Sequence, residues 1–283
     1  MLFRSGLEMR SFDLATWTGD KKFGRTTFHV NIADNSTGLT LPTIKTAISG
    51  KIDTLSYRGY RYRDIFLDGS FREKVFDGEL KSNDPNVDFT FDGTINLKED
   101  VPKFEFSAKI RRLDLGLLNL TDKDLVLFGD IEKLSLQGKT LNDITGSATL
   151  RNFRLLQDLD EWHRIDSLRF YSSVRGDGSR YFGFNSDVAK LELTGKFNLN
   201  TIPQHLALQF QKYHPAFARQ LGIDVKQATI EPSDAYDLVL QIRDSKRLTK
   251  LFFEPLDTLR NVNFKQVLMP GEAFPNSGWK RRK

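Results

Sequence analysis

Four histidines, His29, His163, His205 and His214, are the side chains best suited to proton transfer or metal ligation near neutral pH. None has a second histidine or a carboxylate at metal-ligand spacing. Glu161-Trp162-His163 is a lone Glu-x-His, a spacing common by chance, and all four histidines read as structural or surface groups. No nucleophile-elbow pattern and no glycine-rich phosphate loop between a strand and a helix is present. Cysteine is absent, which excludes disulfides, thiol catalysis and zinc–thiolate sites. The residues therefore point to no catalytic, cofactor-binding or metal site, and a non-enzymatic protein is expected.

Two short runs could bind rather than react. Tyr57-Arg58-Gly59-Tyr60-Arg61-Tyr62-Arg63 interleaves aromatics with arginines. Such a strand could stack bases and hold phosphates, contact lipid phosphates, or pack arginines across rings within one sheet. No second basic stretch accompanies it. The net charge of +5 is mild, and Lys280, Arg281, Arg282 and Lys283 supply most of it. A nucleic-acid partner is not expected. Arg175-Gly176-Asp177 spells an integrin-type tripeptide, but with Gly178-Ser179 it reads as a hairpin tip.

The elements that must carry these residues are strands. Of 283 residues, 39% are hydrophobic and 28% charged, enough apolar material for a core. No stretch approaches the ~20 apolar residues of a spanning helix. Met1–Gly6 lacks the apolar run of a signal peptide. Phenylalanine is abundant, with 23 residues against 7 Tyr and 3 Trp. Period-two alternation dominates: Phe28, Val30 and Ile32; Val87, Phe89 and Phe91; Phe104, Phe106, Ala108 and Ile110. It continues through Leu191 and Leu193, Phe197 and Leu199, Leu206, Leu208 and Phe210, and Leu238, Leu240 and Ile242. Each such strand has one apolar and one polar face, which indicates an antiparallel sheet rather than a buried parallel one.

A second pattern is apolar-x-Gly-x-apolar. It occurs at Ile48–Ile52, Leu67–Phe71, Phe76–Leu80, Phe91–Ile95 and Leu193–Phe197. Glycine within a strand marks a bend or a close backbone approach, while the flanking residues keep one apolar face. Turns are expected at Asn83–Asn86, Lys98–Pro102 and Arg175–Ser179. The spacing predicts about 16 to 20 strands. Helix is confined to short pieces at Leu113–Leu120, Pro215–Leu221 and Ser245–Phe253. The expected organisation is an irregular lead-in over 1–24, a repetitive β-groove over 25–265 and a poorly ordered basic tail over 266–283. So many one-sided strands with so few helices must fold onto one another or leave an apolar groove, and a large bare apolar surface needs a partner.

The run from Tyr60 to Leu120 resembles the repetitive β domain of the TamB/AsmA-like translocation-and-assembly family of diderm bacterial envelopes. The likeness rests on Ile65–Phe71, Val75–Leu80, Asp84-Pro85-Asn86, Val87–Ile95, Phe104–Ile110 and Leu113–Leu120, taken in that order. It implies an all-β, elongated, curved antiparallel β-groove (a β-taco) with an apolar interior. It also implies carriage of phospholipid between inner and outer membranes, in support of outer-membrane assembly. The implied setting is the periplasm, with anchorage to the inner membrane by a segment absent from this chain and an outer-membrane barrel protein as partner of the full-length chain. The sequence reads as an internal piece that joins upstream and downstream segments of a longer chain. About 18 strands stacked ~4.8 Å apart would reach on the order of 85 Å, a segment rather than a complete bridge.

Residues expected to line the groove against phospholipid acyl chains are Phe89, Phe91, Phe104, Phe106, Ile110, Leu191, Leu193, Phe197, Leu206, Leu208 and Phe210. The alternative is a closed β-sandwich or adhesin-like scaffold that binds protein or glycan.

Overall fold

The computed structural model describes residues 4–33, 35–38, 40, 42–140, 142–158, 161–202, 205, 235–243, 262–268 and 276–281. Fifteen strands form one open sheet in which each strand lies beside its sequence neighbour. The strands of the first half are β1 (Arg4–Asp13), β2 (Phe23–Ala33), β3 (Lys45–Tyr57), β4 (Tyr60–Arg72), β5 (Val75–Asp84), β6 (Val87–Asn96), β7 (Lys103–Asp114) and β8 (Leu125–Gln137). They continue with β9 (Thr145–Gln157), β10 (Glu161–Val174), β11 (Arg180–Ser186), β12 (Ala189–Lys196), β13 (Ala235–Ile242), β14 (Val262–Leu268) and β15 (Asn276–Arg281). Pairing is antiparallel from β1 through β8 and from β10 through β15. The all-β antiparallel class expected from alternation is the observed one.

The chain divides into two compact units, Met1–Gln137 with Thr149–Arg164 and Gly138–Ala148 with Ile165–Lys283. In the first, register turns sequence alternation into continuous apolar rows. One row runs Leu7–Val30–Gly50–Leu67–Leu80–Phe91–Ala108–Ile131 across eight strands. Beside it runs Ile48–Gly69–Gly78–Gly93–Phe106–Leu134, and beyond that Phe71–Phe76–Ile95–Phe104–Leu136. Thus the apolar-x-Gly-x-apolar units of β4, β5 and β6 stack in register, glycine on glycine, while Gly50 of β3 faces Leu67. At Gly78 and Gly93, with φ of +152° and +147°, a Cβ would sit 2.3 Å from the Asp68 carbonyl oxygen and 2.2 Å from that of Glu105. Only glycine permits that backbone approach.

Charges pair on the opposite face and at the hairpin ends. Glu73 bridges Lys45 at 2.8 Å and Lys98 at 2.5 Å, and these hydrogen bonds hold its carboxyl down at about 2. Lys51 meets Asp64 at 2.5 Å. Such solvated pairs add little stability. They keep one face wet while the other stays apolar.

The second unit has a packed core. Leu193 and Leu238 are fully buried, and Phe197, Leu199, Ile202 and Tyr236 complete the cluster. Phe182, Leu191 and Leu240 pack against it.

Both ends of the chain differ from expectation. The lead-in contains β1, paired with β2, and a five-residue helix α1 (Leu14–Thr18). Asp13 caps α1 by accepting the Thr16 N–H at 3.1 Å, and Gly19 ends it at φ +76°. A register shift between Met9 and Phe12, where Ser11 has φ +53°, breaks the alternation that would reveal β1. In the expected tail, β15 pairs with β14 through backbone groups although Asn276–Arg281 has no apolar alternation. Leu113–Leu120 is the end of β7 followed by a turn, in which the Asp114 carboxylate accepts the Leu117 N–H at 3.1 Å. Pro215–Leu221 and Ser245–Phe253 lie outside the described residues.

Two stability tests follow from the packing. Gly93→Ala drives a methyl into the Glu105 carbonyl, and denaturant unfolding is expected to show a loss of roughly 1–3 kcal/mol. Gly176→Ala, where no atom lies within 4 Å of the added Cβ, is the neutral control. In the second unit, Leu238→Ala empties a closed core and is expected to cost about 2–5 kcal/mol.

Candidate functional site: the apolar face of the first unit

The alternating strands β6 and β7 place Phe89, Phe91, Phe104, Phe106 and Ile110 on one face. Phe91 is buried, and the other four are half-buried. Phe71 and Phe76 extend the surface on β4 and β5. The rings step across four strands, with Phe71–Phe76 centroids 5.1 Å apart, Phe76–Phe91 6.3 Å and Phe91–Phe106 4.9 Å. Such tilted contacts contribute about 0.5–1.5 kcal/mol each beyond burial. The glycines make room for them: between Phe76 and Phe91 the intervening row at Gly78 and Gly93 bears no side chain.

Backbone contacts between the strands of this unit join sequence neighbours, and the β7–β8 connection reaches the β3–β4 hairpin, where Asn119 donates to the Arg58 carbonyl at 2.9 Å. The ring ladder offers no hydrogen-bonding side-chain group. What lies on it must have none to satisfy. A shallow depression of about 380 Å³ has Glu79, Asp92, Ser107, Lys81, Thr90 and Lys109 on either side of the Leu80–Phe91–Ala108–Ile131 row.

At one end of this face a polar lock fixes the hairpins. Asp84 is 1% exposed and accepts the Tyr60 hydroxyl at 2.6 Å, the Arg63 N–H at 3.0 Å and the Asn86 N–H at 2.9 Å. Burial, with the Asp84 carboxylate second, pushes the Tyr60 phenol up to about 12. Tyr60 therefore stays a donor throughout the physiological range. The Tyr57–Arg63 run is a hairpin built for this lock: Tyr60 and Tyr62 rings lie 4.8 Å apart, and Arg58 covers Tyr57 at 5.7 Å.

The other sequence-selected groups separate. Leu193 and Phe197 belong to the packed core of the second unit, and the partly buried Leu191 packs against it. Leu206, Leu208 and Phe210 lie outside the described residues, as does His214. His29 is exposed, with Nδ1 2.7 Å from Asp53 and Nε2 3.2 Å from Glu8. The buried His205 places Nδ1 3.0 Å from the Tyr236 hydroxyl. Arg175–Ser179 is a hairpin tip in which Asp177 accepts the Ser179 N–H at 2.9 Å. Among the described residues no cluster of His, Asp and Glu could hold a metal, and no helix is long and apolar enough to cross a membrane. Residue-by-residue reading missed Phe71, Phe76, Leu67 and Leu80 as site residues. Their signal was the glycine unit itself, which becomes a surface only once the registers align.

Tyr60→Phe removes one donor from the buried Asp84. Denaturant unfolding is expected to show a loss of about 1–3 kcal/mol, with the apolar face otherwise unchanged.

Comparison with protein-family models, with curated proteins and with solved structures yields no match to this chain.

Proposed function

We propose that the apolar face of the first unit binds the hydrocarbon chains of phospholipid, and that the protein is a non-enzymatic lipid-carrying segment. One observation carries this reading. Apolar rows stay in register across β4–β7, and Phe71, Phe89, Phe104 and Phe106 keep part of their surface exposed beside the buried Phe76 and Phe91. Hydrocarbon suits such a surface because it has no polar group to leave unpaired. Each methylene removed from water contributes about 0.8 kcal/mol, so part of one acyl chain suffices for binding.

The resemblance of Tyr60–Leu120 to the TamB/AsmA-like β domain supports the same reading. It sets the proposed role in the diderm envelope: carriage of phospholipid between inner and outer membranes through the periplasm, in a longer chain that meets an outer-membrane barrel protein. The second reading, a scaffold that binds protein or glycan, is favoured by the second unit, where Leu193 and Leu238 are sealed within the chain's own core.

The test is solvent extraction and mass spectrometry of lipids that co-purify with the detergent-free protein, against a mock purification. Stoichiometric phospholipid is expected. Phe106→Glu puts a carboxylate on the hydrocarbon surface, a cost of several kcal/mol, and should abolish lipid retention while circular dichroism stays unchanged. Full retention by a folded Phe106→Glu variant would sink the assignment, and a folded wild type free of lipid would favour the scaffold.

A further inference from the structure

Arg180 is out of place. It opens β11 and pairs in register with Val174 and Gly195. That puts it on the same face as Phe182 and Phe184, the apolar face of the second unit. The residue is only 9% exposed. Its guanidinium lies 5.5 Å from the centroid of the Phe197 ring. One amine, Nη2, donates to the Ile144 carbonyl at 3.5 Å, the outer limit of a hydrogen bond, and the Ser172 hydroxyl takes the same carbonyl at 2.8 Å. The Nε is buried without a partner. Asp143 is the charge that favours the ionised guanidinium against burial. Its carboxylate is spent on its own turn, where it accepts the Lys139 N–H at 2.9 Å, the Thr140 N–H at 2.5 Å and the Thr140 hydroxyl at 2.7 Å.

An arginine cannot shed its proton to escape burial. A nearly buried guanidinium with an unpartnered Nε–H is costly unless something completes it. We propose that Arg180 is the headgroup site for an anionic amphiphile, its guanidinium taking a phosphate oxyanion while the tail runs along β11 over the half-buried Phe170 and Phe184. The planar fork presents parallel N–H groups that match phosphate. Gly195 contributes no side chain to the β12 side of the guanidinium. Phe184, half-buried, lies four residues along β11, about 13 Å from Arg180, and the Phe170 ring packs 5.2 Å from that of Phe182. The inference extends to the exposed part of the second unit's apolar face the hydrocarbon-binding reading proposed for the first, and adds the chemistry of the head.

Isothermal titration of the full chain with dodecyl phosphate, dodecyl glucoside and inorganic phosphate tests it. The wild type is expected to bind dodecyl phosphate at least tenfold more tightly than dodecyl glucoside. Arg180→Gln should erase that preference and leave the glucoside affinity unchanged. Arg180→Met, whose stem still packs on Phe197, serves if the glutamine variant fails to fold. Equal affinity for the two heads in the wild type, or a preference that survives in the folded variants, overturns the site. Inorganic phosphate binding as tightly as dodecyl phosphate overturns the amphiphile assignment, since the tail would then add nothing. Failure of both dodecyl probes overturns the hydrocarbon reading itself and this inference with it, whereas glucoside binding without head preference overturns this inference alone.

Discussion

The first unit depends on glycine-to-glycine register. Gly69, Gly78 and Gly93 stand side by side on β4, β5 and β6. At Gly78 and Gly93 the neighbouring carbonyl oxygen occupies the place a Cβ would need. A shift of one residue in any of these strands would drive a side chain into backbone and turn its apolar set to the charged face. Steric exclusion and hydrophobic alternation therefore select the same register. The Phe71–Phe76–Phe91–Phe106 ladder follows from it, since the rings lean into space that the glycines leave.

The charged face reinforces that selection without much energy of its own. Glu73 between Lys45 and Lys98, and Lys51 between Asp53 and Asp64, are solvated pairs. For Lys51, within β3, their value lies in the alternative they exclude: a slipped strand would turn its charge to the apolar face. The buried Asp84 acts similarly at the hairpin ends. Its three donors come from Tyr60, Arg63 and Asn86, on both sides of the β4–β5 pair, so the lock closes only in one register.

What was legible in the sequence was whatever depends on neighbours along one strand. Alternation in Val87–Ile95 and Phe104–Ile110 disclosed two-faced strands, and the turns at Asn83–Asn86, Lys98–Pro102 and Arg175–Ser179 fall between strands as expected. Alignment between strands was less visible. Phe76 and Phe91 become one surface only through pairing, and nothing local to either residue states the register. Strand β1 was hidden by its bulge at Ser11, and β15 by its lack of an apolar face. Arg180 was invisible for the opposite reason, because at the first position of a strand an arginine reads as a turn residue in solvent.

The same alternation meets two fates, and the connections decide which. In the first unit, β4 and β5 are joined through residues 73–74, and β5 and β6 through 85–86. Loops of that length contain nothing that could fold back over the face, while the ten-residue β7–β8 connection turns to the β3–β4 hairpin, where Asn119 donates to the Arg58 carbonyl at 2.9 Å; Phe89, Phe104 and Phe106 are half-buried. In the second unit, β12 and β13 are separated by residues 197–234, and the first of these, Phe197, Leu199 and Ile202, pack over Leu193 and Leu238. Identical strand chemistry thus yields a surface in one unit and a core in the other. Connection length decides, beside strand pattern, which apolar side chains remain accessible. The β6–β7 phenylalanines Phe89, Phe104 and Phe106 keep exposed ring surface, while Leu193 and Phe197 are buried in the core of the second unit.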